Sequence, residues 1–239
     1  MKNCMKLFAI VLFAFWGVGS ASAADLDRQQ IEVMLETATL KKPANLRRKD
    51  LRGLDLSGID FRHADLWGAD LRQANLSRCN LSSLVLDLTV MTGINLSEAN
   101  LQKVSIFGVH MKGANLSKAD LRGSRIIATL DNADLTRANI TNVNWGVDMK
   151  NQPMGLMRVS LNKANLAGAD LSGSDLNRAL MRFADLRGTN LTDTNLFRVD
   201  LTGADLAQAN LTNANLKSAN LSDAKMPGAI LKGAALPDK

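Results

Sequence analysis

The chain of 239 residues contains no tyrosine, and aromatic residues make up only 4% of it. That scarcity excludes a core built on stacked rings and a row of exposed rings for stacking nucleic-acid bases. Two cysteines, Cys4 and Cys79, exclude a disulfide framework. The two histidines, His63 and His110, stand far apart, and no HExxH or Cys/His metal spacing exists. No phosphate-cradling glycine motif and no Ser–His–Asp arrangement is found either. The chain therefore reads as a non-enzyme, with no cofactor, metal or catalytic residues. The apolar stretch from Leu7 to Val18 is too short to span a bilayer comfortably, although an uncleaved anchor is one reading of it.

That short stretch has another reading. Lys2 and Lys6 precede it and Ala21-Ser22-Ala23 closes it, the pattern of a secretory signal peptide over residues 1–23. Export is the expected localisation, periplasmic or secreted, with no transmembrane segment in the mature chain. Losing Lys2 and Lys6 lowers the formal net charge from +6 to +4. Such a mild excess favours anionic surfaces without naming one. Cys79 is then the only cysteine, at an inward small-residue position where a thiol behaves as a small hydrophobe.

The remaining sequence is dominated by a beat of five. From Leu46 to Ile126 every fifth residue is Leu, Phe, Met or Ile, and the same holds from Leu156 to Leu236. Between the runs the beat continues with slips at Leu130, Leu135, Ile140, Trp145 and Met149. A small residue often stands two before each beat, and Asp or Asn stands just before it. A helix would scatter these leucines around its surface, and a strand would turn every second one into water. A chain that turns a corner at every repeat keeps them all inside, which is the signature of a solenoid.

The units ADLRG, ANLSK and ADLTR resemble the pentapeptide repeat family. The resemblance implies an all-β fold: a right-handed quadrilateral parallel β-helix with four repeats per coil. Residues 44–239 would give about ten coils, a rod of roughly 45–50 Å at the usual strand spacing. Residues 24–43 lack the beat. There Ile31, Leu35 and Ala38 share a helical face, and Pro43 closes the stretch. This short N-terminal helix is expected to cap the open end of the first coil; docking a partner is the other reading.

Residues 127–155 form an irregular slip. Spacings of four, four and seven cancel, so the four faces are expected to stay in step across it, with Gln152-Pro153 as a bulged loop. On that count Arg78, Lys118, Arg137, Arg158, Arg178 and Arg198 fall into one outward column, interrupted by Glu98. The column is a candidate site for an anion or a partner, since arginine suits carboxylate and phosphate. A solvated face is the alternative. Trp67, Phe107 and Ile127 stack at another outward position as a candidate apolar contact, interrupted by Asp87.

The expected function is an exported, non-enzymatic scaffold presenting a rigid surface to a protein or an anionic envelope component. An anionic polymer bound along the arginine column is one alternative. The resemblance supplies another, because some members of the family mimic DNA and protect gyrase. The basic charge and the signal peptide depart from that pattern. Nucleic acid is not an expected partner without stacking aromatics. The resemblance also leaves a homodimer open, through the C-terminal coils.

Overall fold

The computed structural model describes residues 24–147 and 157–237. The segment read as a signal peptide, the expected Gln152-Pro153 loop, and the beats at Met149 and Leu156 lie outside the described residues.

From Ala44 onward the chain winds as a four-sided coil. Asp50 pairs in parallel with Asp70, Asp55 with Asn75 and Asp60 with Asn80, each 20 residues ahead. Strands β1 (Ala44–Asn45) and β2 (Ala64–Asp65) form the fourth such pairing. Numbering the sides from the leucine each carries, face one begins at Leu46, face two at Leu51, face three at Leu56 and face four at Phe61. On face three the bridges climb from Asp55 to Lys225 through nine rungs among the described residues, where the sequence suggests about ten coils.

Each repeat accounts for its own backbone donors, which explains the residue types it uses. In the repeat that begins at Leu71, the Leu71 N–H donates to the Val90 carbonyl one rung on (2.8 Å). Two residues later the N–H of Gln73 reaches the Thr92 carbonyl, also one rung on. Ala74 N–H closes a turn on Leu71, and Asn75 N–H reaches back a rung to Leu54. The N–H just after each leucine has no rung partner. It takes the side chain of the preceding Asp or Asn, as when Arg72 N–H donates to Asp70 Oδ1 (3.2 Å) and Ser77 N–H to Asn75 Oδ1 (3.1 Å). Every N–H of this repeat is thus satisfied, as buried or half-buried backbone requires.

The corner is a type II turn, with positive φ at its third residue and negative φ before it. Glycine meets that demand at Gly68 (φ 68°), whereas Arg137 (φ 56°) bears the strain of a side chain there. Inside, Leu46, Leu51, Leu56 and Phe61 are fully buried and begin four apolar columns. Each such side chain contributes about 1.5–3 kcal/mol by leaving water. Alanine, cysteine or serine fills the narrower corners between them; Cys79 is buried, and its thiol donates to the Leu56 carbonyl. Burial pushes that thiol up to about 11. Asn side chains also ladder between rungs, Asn95 onto Asn75 and Asn75 onto Asp55.

Helix α1 spans Arg28–Glu36, shorter than the 24–43 segment read from the sequence. Asp27 and Gln30 cap it reciprocally, each side chain accepting the other's N–H at 2.8 Å. Ile31 is fully buried against the first turn of the coil, with Leu26, Met34 and Leu35 packed beside it. Arg28 ties the helix down by donating to the carbonyls of Asp55 and Ser57. At the other end Leu231 and Leu236, which hold inward positions, are 38% and 48% exposed.

The slip breaks the expected register. Thr129 pairs with Ser160 and Asp134 with Asn165, so that one coil contains 31 residues instead of 20. Among the described residues the rung bonds run as far as Val147 and are found again from Val159. Leu130, Leu135, Ile140 and Trp145 hold four successive corners, and Leu161 stacks directly on Leu130. The register leaves room for four repeats, Leu130 to Trp145, before Leu161, where the even count has six. Everything after the slip lies two faces away from where the even count puts it. Trp145 itself is fully buried, its Nε1 donating to Ser124 Oγ (3.0 Å).

Candidate functional site

The register change divides the arginine column. Arg78, Lys118 and Arg137 stack on face three, with Glu98 between the first two, and Lys118 reaches Glu98 at 3.5 Å. Above Arg137 comes Gly168, whose Cα faces the Arg137 side chain, and not Arg158. Arg178 and Arg198 stand on the opposite side of the rod, on face one, and Arg158 lies at that face's edge beside Gly108 and Ile127. A continuous six-residue column does not form.

The apolar column holds its register but not its exposure. Phe107 and Ile127 are neighbours in strands β3 (Ser105–His110) and β4 (Arg125–Thr129), which pair in parallel. Phe107 is 37% exposed and Trp67 half-buried, whereas Ile127 is buried. One residue fewer separates Ile126 from Leu130, so this corner runs straight through as β4, with a register shift at Gly108. Met157 and Arg158 line the same hollow as Ile127. Ile127 thus offers no outward contact.

Other residues that the column did not include join the patch. Val85 (55% exposed), Leu88 (53%) and Met157 (42%) are on face one or its edge. Leu40, Trp67 and Val85 line a hollow of about 350 Å³ with Arg47, Arg62 and His63. The signal was present in the sequence: at Val85, Val90 and Ser105 the residue before the beat is no longer Asp or Asn. With no side-chain acceptor at Val85 and Val90, the N–H groups of Asp87 and Thr92 have no partner among the described residues. Phe107 N–H instead takes Asp87 Oδ1 (2.9 Å). Burial between the aromatic rungs raises the Asp87 carboxyl above its ordinary range.

Electrostatics separates the faces further. Wherever the repeat reads Asp-Leu-Arg, the guanidinium folds back onto its own aspartate, as Arg72 does onto Asp70 and Arg122 onto Asp120. The Arg52 guanidinium beside Asp50 holds that carboxyl at about 2. Such arginines are spent locally. On face one Arg47 and Arg48 lie over the Trp67 ring at 4.6 and 5.0 Å, a cation–π arrangement. Arg198 lies beside the Phe197 ring at 5.1 Å. Among the described residues no group of three His, Cys, Asp or Glu side chains is placed to hold a metal ion. His63 and His110 stand on different faces.

Comparison with known proteins places this geometry among relatives. A family model for pentapeptide repeats, in 8 copies, matches residues 44–78, 55–93, 74–113, 85–123, 156–193 and 194–233. The uncovered interval, 124–155, contains the slip. Among solved structures, the chain is similar to HetL, a pentapeptide repeat protein involved in heterocyst differentiation regulation from the cyanobacterium Nostoc sp. strain PCC 7120. The identity is 31% over 87% of this chain and 94% of that one, with a TM-score of 0.28. QnrB1, a plasmid-mediated fluoroquinolone resistance protein, matches at 20% identity over 77% and 85%, with a TM-score of 0.47. A thylakoid-lumen pentapeptide repeat protein of Arabidopsis thaliana matches at 27% over 60% and 68%, with a TM-score of 0.14. No curated protein gives a match.

Proposed function

The chain belongs to the pentapeptide repeat family, and we propose that it is an exported, non-enzymatic scaffold whose face one is a binding surface. The family's fold is the right-handed quadrilateral β-helix, a stiff rod whose flat sides hold outward side chains in fixed rows. The observation that carries the proposal is the lapse of the Asp/Asn rule at Val85, Val90 and Ser105, where the surface turns apolar. At Val85 and Val90 the N–H after the beat gives up that bond, at Ser105 it turns to Asp87, and Val85, Leu88 and Phe107 are exposed. Exposed apolar side chains gathered on one side of a rod mark a contact surface.

The reading predicts an envelope partner captured by the chain from residue 24 onward and lost when Trp67 and Leu88 are both changed to serine. Capture of the same partners by both proteins would remove face one from consideration. Export is tested separately, by fractionation of cells producing the full chain; mature protein found in the cytoplasm overturns it. A gyrase supercoiling assay addresses the alternative taken from the family, and neither inhibition nor protection is expected. The turn at Leu231 and Leu236, partly exposed, is where a homodimer would form, which sedimentation equilibrium decides.

A further inference from the structure

The coil's register lets every charged residue be assigned to a side, and the charge proves to be unevenly shared. On face three Arg78, Lys118, Arg137, Arg187 and Lys225 are matched by Asp55, Glu98, Asp134, Asp185 and Asp205. Face four is balanced too, and face two is within one charge of balance. Face one is different. In its N-terminal half Arg47, Arg48 and Arg125 stand with Asp65 and Asp87; in its C-terminal half Arg158, Arg178, Arg198 and Lys217 stand with Asp175 alone.

Among the described residues seven basic ones against three acidic ones leave face one with an excess of four. The C-terminal four are also uncompensated: among the described residues none of Arg158, Arg178, Arg198 and Lys217 has an ion-pair partner. By contrast Arg182, around the corner on face two, is held by Asp200. Lone cations stacked at a rung spacing of ~4.8 Å repel one another unless an anion lies over them.

The same face carries the exposed apolar side chains. Val85, Leu88, Phe107 and Met157 are on it or at its edge, and Trp67 is half-buried beneath two guanidinium groups. Among the described residues, exposed large apolar side chains elsewhere are confined to α1 and the turn after it, the last turn, Val90 at the adjoining edge, and Phe183 on face two.

We propose that face one docks flat onto an anionic lipid bilayer, as a peripheral membrane surface. This deepens the scaffold reading and rests on it, by naming the partner. Three features favour a bilayer over a protein. The cations are of one sign along several rungs, which suits a laterally continuous array of headgroups. The apolar side chains are separate and interleaved with charge, so they can enter the headgroup boundary singly. Tryptophan with arginine beside it is the pairing that interfaces favour, the ring at headgroup level and the cations at the phosphates. No described helix is long and apolar enough to cross a membrane, so attachment would be by this face alone.

Sedimentation with vesicles tests it, using the chain from residue 24 onward. Vesicles of phosphatidylcholine alone are compared with vesicles in which about a third is phosphatidylglycerol. Binding is expected only to the anionic vesicles and should weaken as salt rises. Changing Arg178, Arg198 and Lys217 together to glutamine should lower it on the order of 100-fold. The matched face-three variant, with Arg78, Lys118 and Arg137 changed to glutamine, should bind as the parent does. Thermal unfolding confirms that both variants fold, since all six side chains are outward.

Equal loss in the two variants would overturn the inference, because binding would then follow net charge and not a face. No sedimentation with anionic vesicles would also overturn it. If, in that case, an envelope protein is captured and lost with Trp67→Ser and Leu88→Ser, face one is a protein-docking surface and the scaffold reading stands. If nothing is captured either, both fall.

Discussion

Face three and face one share a rung spacing, a turn and an inward column of large apolar residues, but they use their outward positions differently. On face three Asp or Asn precedes the beat from Asp55 through Asp205, and serine or threonine follows it from Ser57 to Thr136. Charges there are matched in number. On face one that rule lapses at Val85, Ser105 and Arg125, while the inward column admits Trp145. The difference teaches that backbone and core need only the leucine and the turn. Outward residues are free to vary, even where the N–H after the beat gives up its side-chain acceptor.

The largest expected effect comes from the core of face one. Trp145→Ala should cost about 3–5 kcal/mol, because Trp145 fills its layer between Ile126 and Leu176 and bonds Ser124. In a solenoid each coil contacts only its neighbours, so the defect should also weaken coupling across the slip. Urea unfolding that stays a single transition with an unchanged midpoint would contradict this. Leu135→Ala on face three, in the same coil, should cost about 2–5 kcal/mol and serves as the comparison.

Next come the corners. Gly168 on face three has φ 66° and Arg137, one rung below, has φ 56°. Gly168→Ala should destabilise by about 1 kcal/mol, and Arg137→Gly should recover a similar amount in relief of the left-handed strain. Both are read from the unfolding midpoint, and equal signs for the two would refute the turn assignment. The Asn ladder is expected to contribute on a similar scale: Asn75→Ala removes the acceptor for Ser77 N–H and two ladder bonds, costing about 1–2 kcal/mol. The same change at Val85 on face one should cost far less, since no such bonds exist there.

The smallest effect separates the faces by pH. Asp50, Asp60, Asp70, Asp120 and Asp185, on faces two, three and four, are all held below the ordinary carboxylate range by the arginine two residues on. A depressed carboxyl stabilises the fold above the unfolded-state value, near 4. That stability is lost as pH falls through the folded value, which for Asp50 is about 2. Face one has no such pair among the described residues. Its Asp87 is shifted upward by burial, so ionisation there works against folding, and protonation relieves it. Asp50→Asn should therefore lower Tm at neutral pH and flatten the acid limb. Asp87→Asn should raise Tm slightly at neutral pH, with the difference vanishing in acid. A drop in Tm for Asp87→Asn would show that its bond to Phe107 outweighs burial.

Much of this was legible in the residues themselves. A beat of five can bury its leucines only by turning a corner at each repeat, so the solenoid, its inward columns and the buried Cys79 follow from spacing. Given the four repeats per coil that the family resemblance implies, the stacking of Trp67, Asp87, Phe107 and Ile127 also follows, because nothing interrupts the count before Ile127. The lapse at Val85 and Val90 was visible too, but its meaning was not, since only the bonding of the N–H after each beat shows what Asp and Asn do.

What the sequence could not decide was where the coil resumes after the slip. Leu, Met and Ile at the right spacing look the same whether they turn inward or belong to an excursion. Only backbone pairing, Thr129 with Ser160 and Asp134 with Asn165, distinguishes a 31-residue coil from six regular repeats. That choice rotates the second half of the rod by two faces. It separates Arg137 from Arg178 and brings Arg178 and Arg198 onto the side of Trp67 and Leu88. Local chemistry determined what each repeat is, because five residues contain all the bonds a repeat makes within itself. Which residues share a surface was decided by backbone pairing between rungs, which joins residues 19, 20 or 31 apart.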